Sequence, residues 1–453
     1  MRFRSPLPPG PYLVVGLARS GQAVARLLAG RGEEVLGVDS GDPAGAVELA
    51  RAGIEVEVAS DGLAALARAR CVVKSPGVPP QAPVIAAARG RGMPVLGELE
   101  LAWRLLSNRF VAVTGTNGKT TVVELLGHIW RGAGEPVAVA GNVGTPLAAL
   151  VGTIDPEATV VCEASSFQLE DAESFAPECG VLLNLSPDHL DRHRDLDAYR
   201  DAKLRLFAKQ GNDDVCVFDG SDPALRGIDL GGCARRIAFC RDARDSDDCG
   251  AELAGGVIEL WGEPLLGLDE LSLLGPHNAA NAMAAALGAA AMGIDRGTIA
   301  AALRSFPGVP HRLERVGERD GVLYVNDSKA TNPAAAAAAL RSFGDRPVRA
   351  ILGGSLKGGS FAALTESVAE RCTACYLIGP AASQLERDLA DAWTAGVERR
   401  THDGLEGAFA GAAEAALPGD VVLLAPACAS FDAYRDFEQR GEHFRALFAQ
   451  LSD

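Results

Sequence analysis

The chain predicts an α/β protein of three consecutive domains. Short apolar runs alternate with helical patterns, and the alternation restarts near residue 110 and again after residue 310. With 453 residues the chain is long enough for about three domains of ordinary size. A glycine-rich turn between a strand and a helix in the middle third marks the second domain as one that binds phosphate. The expected boundaries are 1–97, 98–307 and 308–453.

In the first domain PYLVVG (11–16) reads as a strand, 22–29 as a helix and EVLGVD (34–39) as a second strand. CVVKSPG (71–77) and MPVLG (93–97) continue the series. Strands alternating with helices imply a parallel sheet with helices on its faces. Gly16-Leu17-Ala18-Arg19-Ser20-Gly21 follows the first strand and Asp39 ends the second. That is the layout of a dinucleotide turn, but Ala18 stands where G-x-G-x-x-G requires glycine, so an NAD-dependent dehydrogenase is weakly indicated.

The second domain opens with RFVAVTG (109–115), a strand, and 120–130 reads as a helix. The loop between them holds Gly115, Thr116, Asn117, Gly118, Lys119, Thr120 and Thr121. Glycines let backbone N–H groups turn toward an anion, and the helix N-terminus adds the positive end of its dipole. Lys119 can reach terminal phosphates and the Thr120 hydroxyl can ligate Mg²⁺. The common phosphate loop has a glycine five residues before Gly118, where this chain has Val113, so this is a shortened variant. An ordinary strand–turn–helix with a solvated lysine is the plainer alternative. Further strands are expected at 137–140, 159–163 and 181–185, a charged loop at 241–250 and an alanine-rich buried helix at 279–291. Glu163 ends one strand as a candidate magnesium ligand. In LNLSPDHLDRH (183–193) His189 and His193 lie four apart and could share a helix face, suiting magnesium or zinc, or an Asp-His cap.

FPGVP (306–310) reads as a linker. Strands at 322–326, 348–352, 374–378 and 421–424 make up the third domain. Cys372 and Cys375 form a C-x-x-C, but without a second pair or nearby histidines the inert reading is favoured.

The net charge of −16, from 43 basic and 59 acidic residues, excludes general binding to nucleic acid or to an anionic membrane. Only six of those 43 are lysine (Lys74, Lys119, Lys203, Lys209, Lys329, Lys357), so a phosphate ligand must be held by a few lysines, backbone amides or metal. No run suits membrane insertion, since the apolar-looking stretch 279–294 is mostly alanine and carries Asn281. Early prolines interrupt the N-terminus before any apolar run, which argues against a secretory signal. Ten scattered cysteines fit a reducing cytoplasm.

GTNGKTT (115–121), EASSFQLE (163–170), LNLSPDHLDRH (183–193), YRDAKLRLF (199–207), GPHNAAN (275–281) and GVPHRLE (308–314) resemble, in that order, the bacterial Mur ligases. NDSKATNP (326–333), LGGSLKGG (352–359) and APACASFDAYRDFEQRGEHF (425–444) extend the resemblance over nearly the whole chain. SSFQLE, NDSKATN and PACASFD with FEQRG are similar to the branch that adds D-glutamate, and the D-N-P-R motif of the diaminopimelate-adding branch is absent. The resemblance implies Rossmann-like first and third domains flanking a central P-loop ATPase-like domain with a parallel sheet. It also implies an ATP-dependent amide ligase of peptidoglycan precursor synthesis that joins D-glutamate to UDP-N-acetylmuramoyl-L-alanine through an acyl phosphate, as a monomer. Another Mur ligase, a folylpolyglutamate synthase, or a nucleotide-dependent switch without ligase chemistry are the alternatives.

Carried over by residue, the resemblance assigns ATP phosphates and a first Mg²⁺ to Lys119 and Thr120, with Glu163. It assigns a second Mg²⁺ to His189, and carbamylation to Lys203, which without the resemblance reads as a solvent-exposed helix lysine. Asn278 would contact adenine, Arg312 the ATP phosphates and Asp327 the ribose or neighbouring groups. Lys329 lies near phosphate and D-glutamate, and Thr331, Lys357, Ser430 and Phe437 near D-glutamate. For Phe437 a core position, and for Ser430 a helix cap, remain open. The UDP group would lie along Gly16, Leu17, Ala18, Arg19 and Ser20, with uracil near Asp39 and Ser40. Ser75 and Gly77 would lie beside it, and Gly141 and Asn142 against the sugar.

Overall fold

The computed structural model describes residues 2–186, 188–189, 192–242, 248–273, 277–356 and 358–451, without the side chain of His277. The first sheet is built from β1 (Tyr12–Val15), β2 (Val35–Val38), β3 (Glu55–Glu57), β4 (Cys71–Lys74) and β5 (Val95–Gly97), in the order β3-β2-β1-β4-β5 with every pair parallel. Strands covered on both faces read as unbroken apolar runs, which is how YLVV is written.

The second sheet comprises β6 (Phe110–Thr114), β7 (Val137–Gly141), β8 (Thr159–Glu163), β9 (Cys179–Leu182), β10 (Val215–Asp219), β11 (Arg235–Cys240), β12 (Cys249–Ala254), β13 (Val257–Leu260) and β14 (Glu263–Gly267). Its order is β14-β13-β12-β11-β10-β9-β6-β8-β7, parallel from β7 to β12 and antiparallel from β12 to β14. The third sheet, β15 (Glu314–Arg319), β16 (Val322–Asn326), β17 (Val348–Gly353), β18 (Cys372–Ile378), β19 (Glu398–His402) and β20 (Val421–Leu424), runs β15-β16-β20-β17-β18-β19, parallel except for β15.

Three antiparallel hairpins were absent from the sequence expectation. Each turns on two residues with positive φ: Gly255-Gly256, Trp261-Gly262 and Asp320-Gly321. Two such residues make the primed turn whose twist matches that of the flanking strands. The expected strand 181–185 is shifted to Cys179–Leu182, freeing residues 183–186 to form a loop. Of the charged loop expected at 241–250, residues 243–247 lie outside the described residues and Cys249 already begins β12. The expected helix at 279–291 forms as His277–Ala291.

The chain divides into two compact units, one of residues 1–271 with 279–305 and the other of 272–278 with 306–453. Helix Glu98–Leu105 explains why the first unit holds two sheets. Its Leu101 packs into the core of the first sheet, while Leu99, Ala102 and Trp103 pack into that of the second. Trp103, Phe110 and Phe175 meet edge to face, with ring centroids 5.2 to 5.9 Å apart, and the Arg4 guanidinium lies 3.7 Å over Trp103.

A buried ion pair reinforces this junction. Lys74, at the end of β4, places its Nζ 2.8 Å from Asp171, and Arg89 reaches the other oxygen at 3.0 Å. Lys74 is fully buried, and burial lowers its pKa against the opposing pull of Asp171. Lys74→Met leaves Asp171 buried with only the half-exposed Arg89. Removing one member of a buried pair should cost about 3 kcal/mol in urea unfolding. A loss under about 0.5 kcal/mol, the value of a surface pair, would contradict this.

Candidate functional site

In a parallel sheet the crevice for ligands opens at the carboxyl ends of the strands where their order reverses. In the second sheet β6 lies between β8 and β9, so the loops after these three strands converge. The loop after β6 is Gly115–Gly118, leading into helix Lys119–Gly132. Gly118 has φ +85°, and a Cβ there would stand 2.4 Å from the Asn281 Oδ1, so only glycine fits. The Asn184 side chain, after β9, accepts from the N–H groups of Thr116 and Asn117 at 3.1 and 2.8 Å and donates back to the Asn117 carbonyl. The Thr116 hydroxyl bonds to Ser186 and receives the Tyr199 hydroxyl at 3.3 Å.

The charged groups lie directly on this frame. The Thr120 hydroxyl donates to Glu163 Oε2 at 2.8 Å, and the Asn142 amide donates to Oε1 at 3.0 Å. Lys119 donates to the carbonyls of Gly115 and Thr116, both at 2.9 Å. Lys203 donates to the same Gly115 carbonyl at 2.8 Å, with its ammonium 4.4 Å from the Tyr199 ring. The expectation of an exposed lysine is therefore wrong, since residue 203 is 1% exposed. Helix Leu196–Leu204 turns this side chain inward under the phosphate loop. Burial pushes its pKa down to about 7, and Lys119 pushes it the same way against Asp188 and Glu163.

His189 and His193 do not share a helix face. His189 has φ +52°, its carbonyl closes a turn onto the N–H groups of Arg192 and His193, and the next helix starts only at Leu196 behind an Asp195 cap. The two rings meet through Phe167, with centroids 4.9 and 5.6 Å from it. His193 is buried between Ser166 Oγ and Glu170, and burial lowers its pKa. His189 remains half-exposed beside Asp188. Pro187, Leu190 and Asp191 lie outside the described residues.

The first sheet repeats the arrangement around β1. The Asp39 carboxylate accepts from Leu17 N at 2.6 Å and from Gly41 N at 2.8 Å, and Ser75 Oγ donates to the Gly16 carbonyl at 2.7 Å. A Cβ at Gly21 would fall 1.8 Å from that carbonyl, so the turn requires glycine. Arg19 reaches the Gly144 carbonyl at 3.4 Å. Ala18 caps helix Arg19–Gly30, whose first turn includes Ser20; Ser40 follows Asp39, Gly77 is exposed on the loop after β4, and Gly141 ends β7. Arg192 joins that loop to the histidine turn, 3.1 Å from the Val78 carbonyl and 3.2 Å from Glu170, with its guanidinium 4.6 Å over Phe167.

In the other unit β20 lies between β16 and β17, and the loops after these strands carry the remaining candidates. Asp327 is buried and accepts from Leu313 N at 3.2 Å, and burial raises its pKa to about 6 against Arg312 and Lys329. Lys329 lies 5.7 Å over the Phe437 ring, and its N–H donates to the His311 carbonyl. Phe437 is half-buried as the first residue of helix Phe437–Gln450 rather than in the core. Ser430 is buried at a turn onto Ala433 and Tyr434 rather than at a helix cap, and Thr331 precedes the Asn332 cap of helix Pro333–Leu340. Asn278 is buried in the first turn of its helix, and Lys357 lies outside the described residues.

The sequence reading missed Asn184, Asn281 and Tyr199 as parts of the site. All three lie inside quoted motifs, but nothing in a single sequence shows which polar residue of a motif faces the loop. Cys372 and Cys375 are buried, and among the described residues no three His, Cys, Asp or Glu side chains gather as a metal site.

Residues 11–97 match the MurD-like N-terminal domain of Mur ligases, residues 113–289 the Mur ligase middle domain and residues 311–428 the Mur ligase glutamate ligase domain. Among curated relatives, the UDP-N-acetylmuramoylalanine–D-glutamate ligases of Pelotomaculum thermopropionicum and Salinibacter ruber are 43% and 42% identical. In both cases 97% of this chain and 97% of the relative are covered. The ligase of the same name from Symbiobacterium thermophilum is 41% identical over 97% of this chain and 98% of its own. Among solved structures, the UDP-N-acetylmuramate–alanine ligase of Thermotoga maritima shares the fold with a TM-score of 0.61 at 18% identity, covering 98% of this chain and 100% of that one. A pseudomurein peptide ligase of Methanothermus fervidus does so at 0.55 and 16% identity, covering 97% and 100%.

The Lys203 amine sets a pH signature. Below pH 7 both folded and unfolded chains keep its proton, and the folded chain bears the full cost of burying the charge. Between about 7 and the ordinary 10.5 only the unfolded chain stays protonated, so stability rises with pH across that window. In metal-free buffer purged of CO₂, wild type should gain stability over Lys203→Met from pH 7 to 10. A difference that stays flat would contradict the burial account.

Proposed function

The chain belongs to the Mur ligase family, and from that premise we propose that it is an ATP-dependent ligase joining D-glutamate to UDP-N-acetylmuramoyl-L-alanine. The observation that carries this is the end-to-end match, at 41% to 43% identity, to relatives named for that reaction. Peptidoglycan precursor synthesis is the setting. The three-domain division belongs to the same reading: 1–97 for the UDP group, 98–307 for ATP and 308–453 for the incoming amino acid.

The chemistry follows from what the residues can hold. The N-terminus of helix Lys119–Gly132 supplies amide N–H groups and a positive dipole end for the ATP phosphates, and Lys119 adds its charge. The substrate carboxylate attacks the γ-phosphorus and ADP leaves. The D-glutamate amine then attacks the acyl carbon, loses a proton, and inorganic phosphate departs. Thr120 and Glu163 offer hard oxygen donors 2.8 Å apart, a set that suits Mg²⁺, which keeps waters and phosphate oxygens as its other ligands. When bound, that ion offsets the negative charge of the phosphoryl group in transfer.

Among the described residues the hydrogen bond of the Lys203 amine goes to a carbonyl and not to a carboxylate, and burial holds its pKa down to about 7. Such an amine adds CO₂ and releases one proton, giving a carbamate anion on Nζ. That anion and His189 would hold a second Mg²⁺. Gly16, Leu17, Ala18, Arg19 and Ser20 would receive the diphosphate, Asp39 and Ser40 the uracil, with Ser75 and Gly77 beside it and Gly141 and Asn142 at the sugar. Asn278, Arg312 and Asp327 serve the nucleotide. Thr331, Lys357, Ser430 and Phe437 take D-glutamate, with Lys329 between it and phosphate. Hydroxyls and ammonium groups suit a dicarboxylate and would be wasted on an apolar amino acid.

No helix among the described residues is long and apolar enough to cross a membrane. A cytoplasmic monomer is the working assignment.

The test is phosphate release from ATP with UDP-N-acetylmuramoyl-L-alanine and D-glutamate, L-alanine or diaminopimelate in turn. Release should require D-glutamate, and in the same assay Lys203→Arg, which keeps the charge but cannot take up CO₂, should lose at least about a hundredfold in kcat. Release indifferent to the amino acid overturns the reading. Full activity of the arginine variant removes the carbamate from it.

A further inference from the structure

Arg440, in the FEQRG motif, has no part in the function above, yet it is 1% exposed. Its Nε donates to Ser328 Oγ at 3.0 Å, and its Nη2 donates to the carbonyls of Ser328 at 2.9 Å and Cys428 at 3.1 Å. Its Nη1 donates to the Ala429 carbonyl at 3.2 Å. A third loop closes on the same group: a Cβ at Gly354 would lie 3.1 Å from Nη1. Ser328 Oγ in turn donates to the Phe437 carbonyl at 2.7 Å, at the start of Arg440's own helix.

One guanidinium therefore bonds the loops at the carboxyl ends of β16 and β20 and leaves little room for a side chain at Gly354 in the loop after β17. Those loops carry Lys329 and Thr331, the segment that follows Gly354, and Ser430. Among the described residues every hydrogen bond it makes ends on a neutral oxygen, and the Asp432 carboxylate acts on it through charge without being bonded to it. The planar fork with several fixed donors is what lets one side chain bind two loops while a third packs against it, which lysine's single ammonium cannot do.

We propose that Arg440 is the positioning residue of the amino-acid pocket, fixing its three loops in mutual register. The proposal rests on the reading of that pocket as the D-glutamate site.

Steady-state kinetics of the full chain test it, with KM measured separately for ATP, UDP-N-acetylmuramoyl-L-alanine and D-glutamate. In Arg440→Gln the KM for D-glutamate should rise at least about tenfold, while the other two stay within about twofold. An unchanged D-glutamate KM overturns the proposal, as does a parallel rise of all three. Should that variant not fold, Ser328→Ala removes one of the four bonds and should raise the D-glutamate KM about threefold in a folded chain. No change there overturns the proposal equally. If the wild type releases phosphate with a different amino acid, the functional reading fails separately, and the KM of that amino acid takes the place of D-glutamate.

Discussion

Two lysines share one carbonyl oxygen, and much of the site follows from that arrangement. Lys119 and Lys203 both donate to Gly115, one from the helix that opens after the phosphate loop and one from a helix 84 positions later in sequence. Two ammonium groups on one acceptor repel, and the more deeply buried one is the cheaper to neutralise. Lys119 keeps a second carbonyl at Thr116, whereas Lys203 has the Tyr199 ring above it. The loop must hold its shape before any anion arrives, and Asn184, Ser186 and Tyr199 supply that rigidity from the neighbouring strand and helix. Preorganised donors of this kind need little rearrangement when charge develops during reaction.

The same logic recurs in all three sheets. In the first two the order of strands reverses around one central strand (β1 or β6), in the third the last strand, β20, is inserted between β16 and β17, and the loops after these strands carry the candidate residues. The acidic net charge of −16 places this arrangement in context. In a chain that repels anions overall, the few lysines and buried arginines define where an anionic substrate can settle. Arg440 and Lys203 illustrate two outcomes of burying a cation: the guanidinium stays charged on carbonyl dipoles, and the amine gives way toward neutrality.

Much of this was legible in the sequence. Parallel strands buried on both faces announce themselves as apolar runs, so β1, β4, β6, β8, β16 and β20 were found close to their true limits. The phosphate loop was readable because its glycines, lysine and threonines do local work. The hairpins were missed although Gly-Gly and Asp-Gly marked two of them, because their strands are partly exposed and lack an unbroken apolar run. The burial of Lys203 was hidden for a different reason. Its helix is weakly apolar, and the carbonyl that its amine meets, that of Gly115, lies far away in sequence. A shared helix face for His189 and His193 stayed open in the sequence because a spacing of four fits helix and turn alike, and the backbone at His189 decides between them.

With its pKa held down to about 7, the Lys203 amine is mostly neutral at pH 8, the form that takes up CO₂. Carbon-13 NMR of the full chain in ¹³C-bicarbonate at pH 8 measures this directly. The account predicts a carbamate resonance that is lost in Lys203→Arg and weakened in Lys119→Met, where the repelling ammonium is gone. A spectrum without a carbamate resonance, or one whose resonance survives in Lys203→Arg, would contradict it.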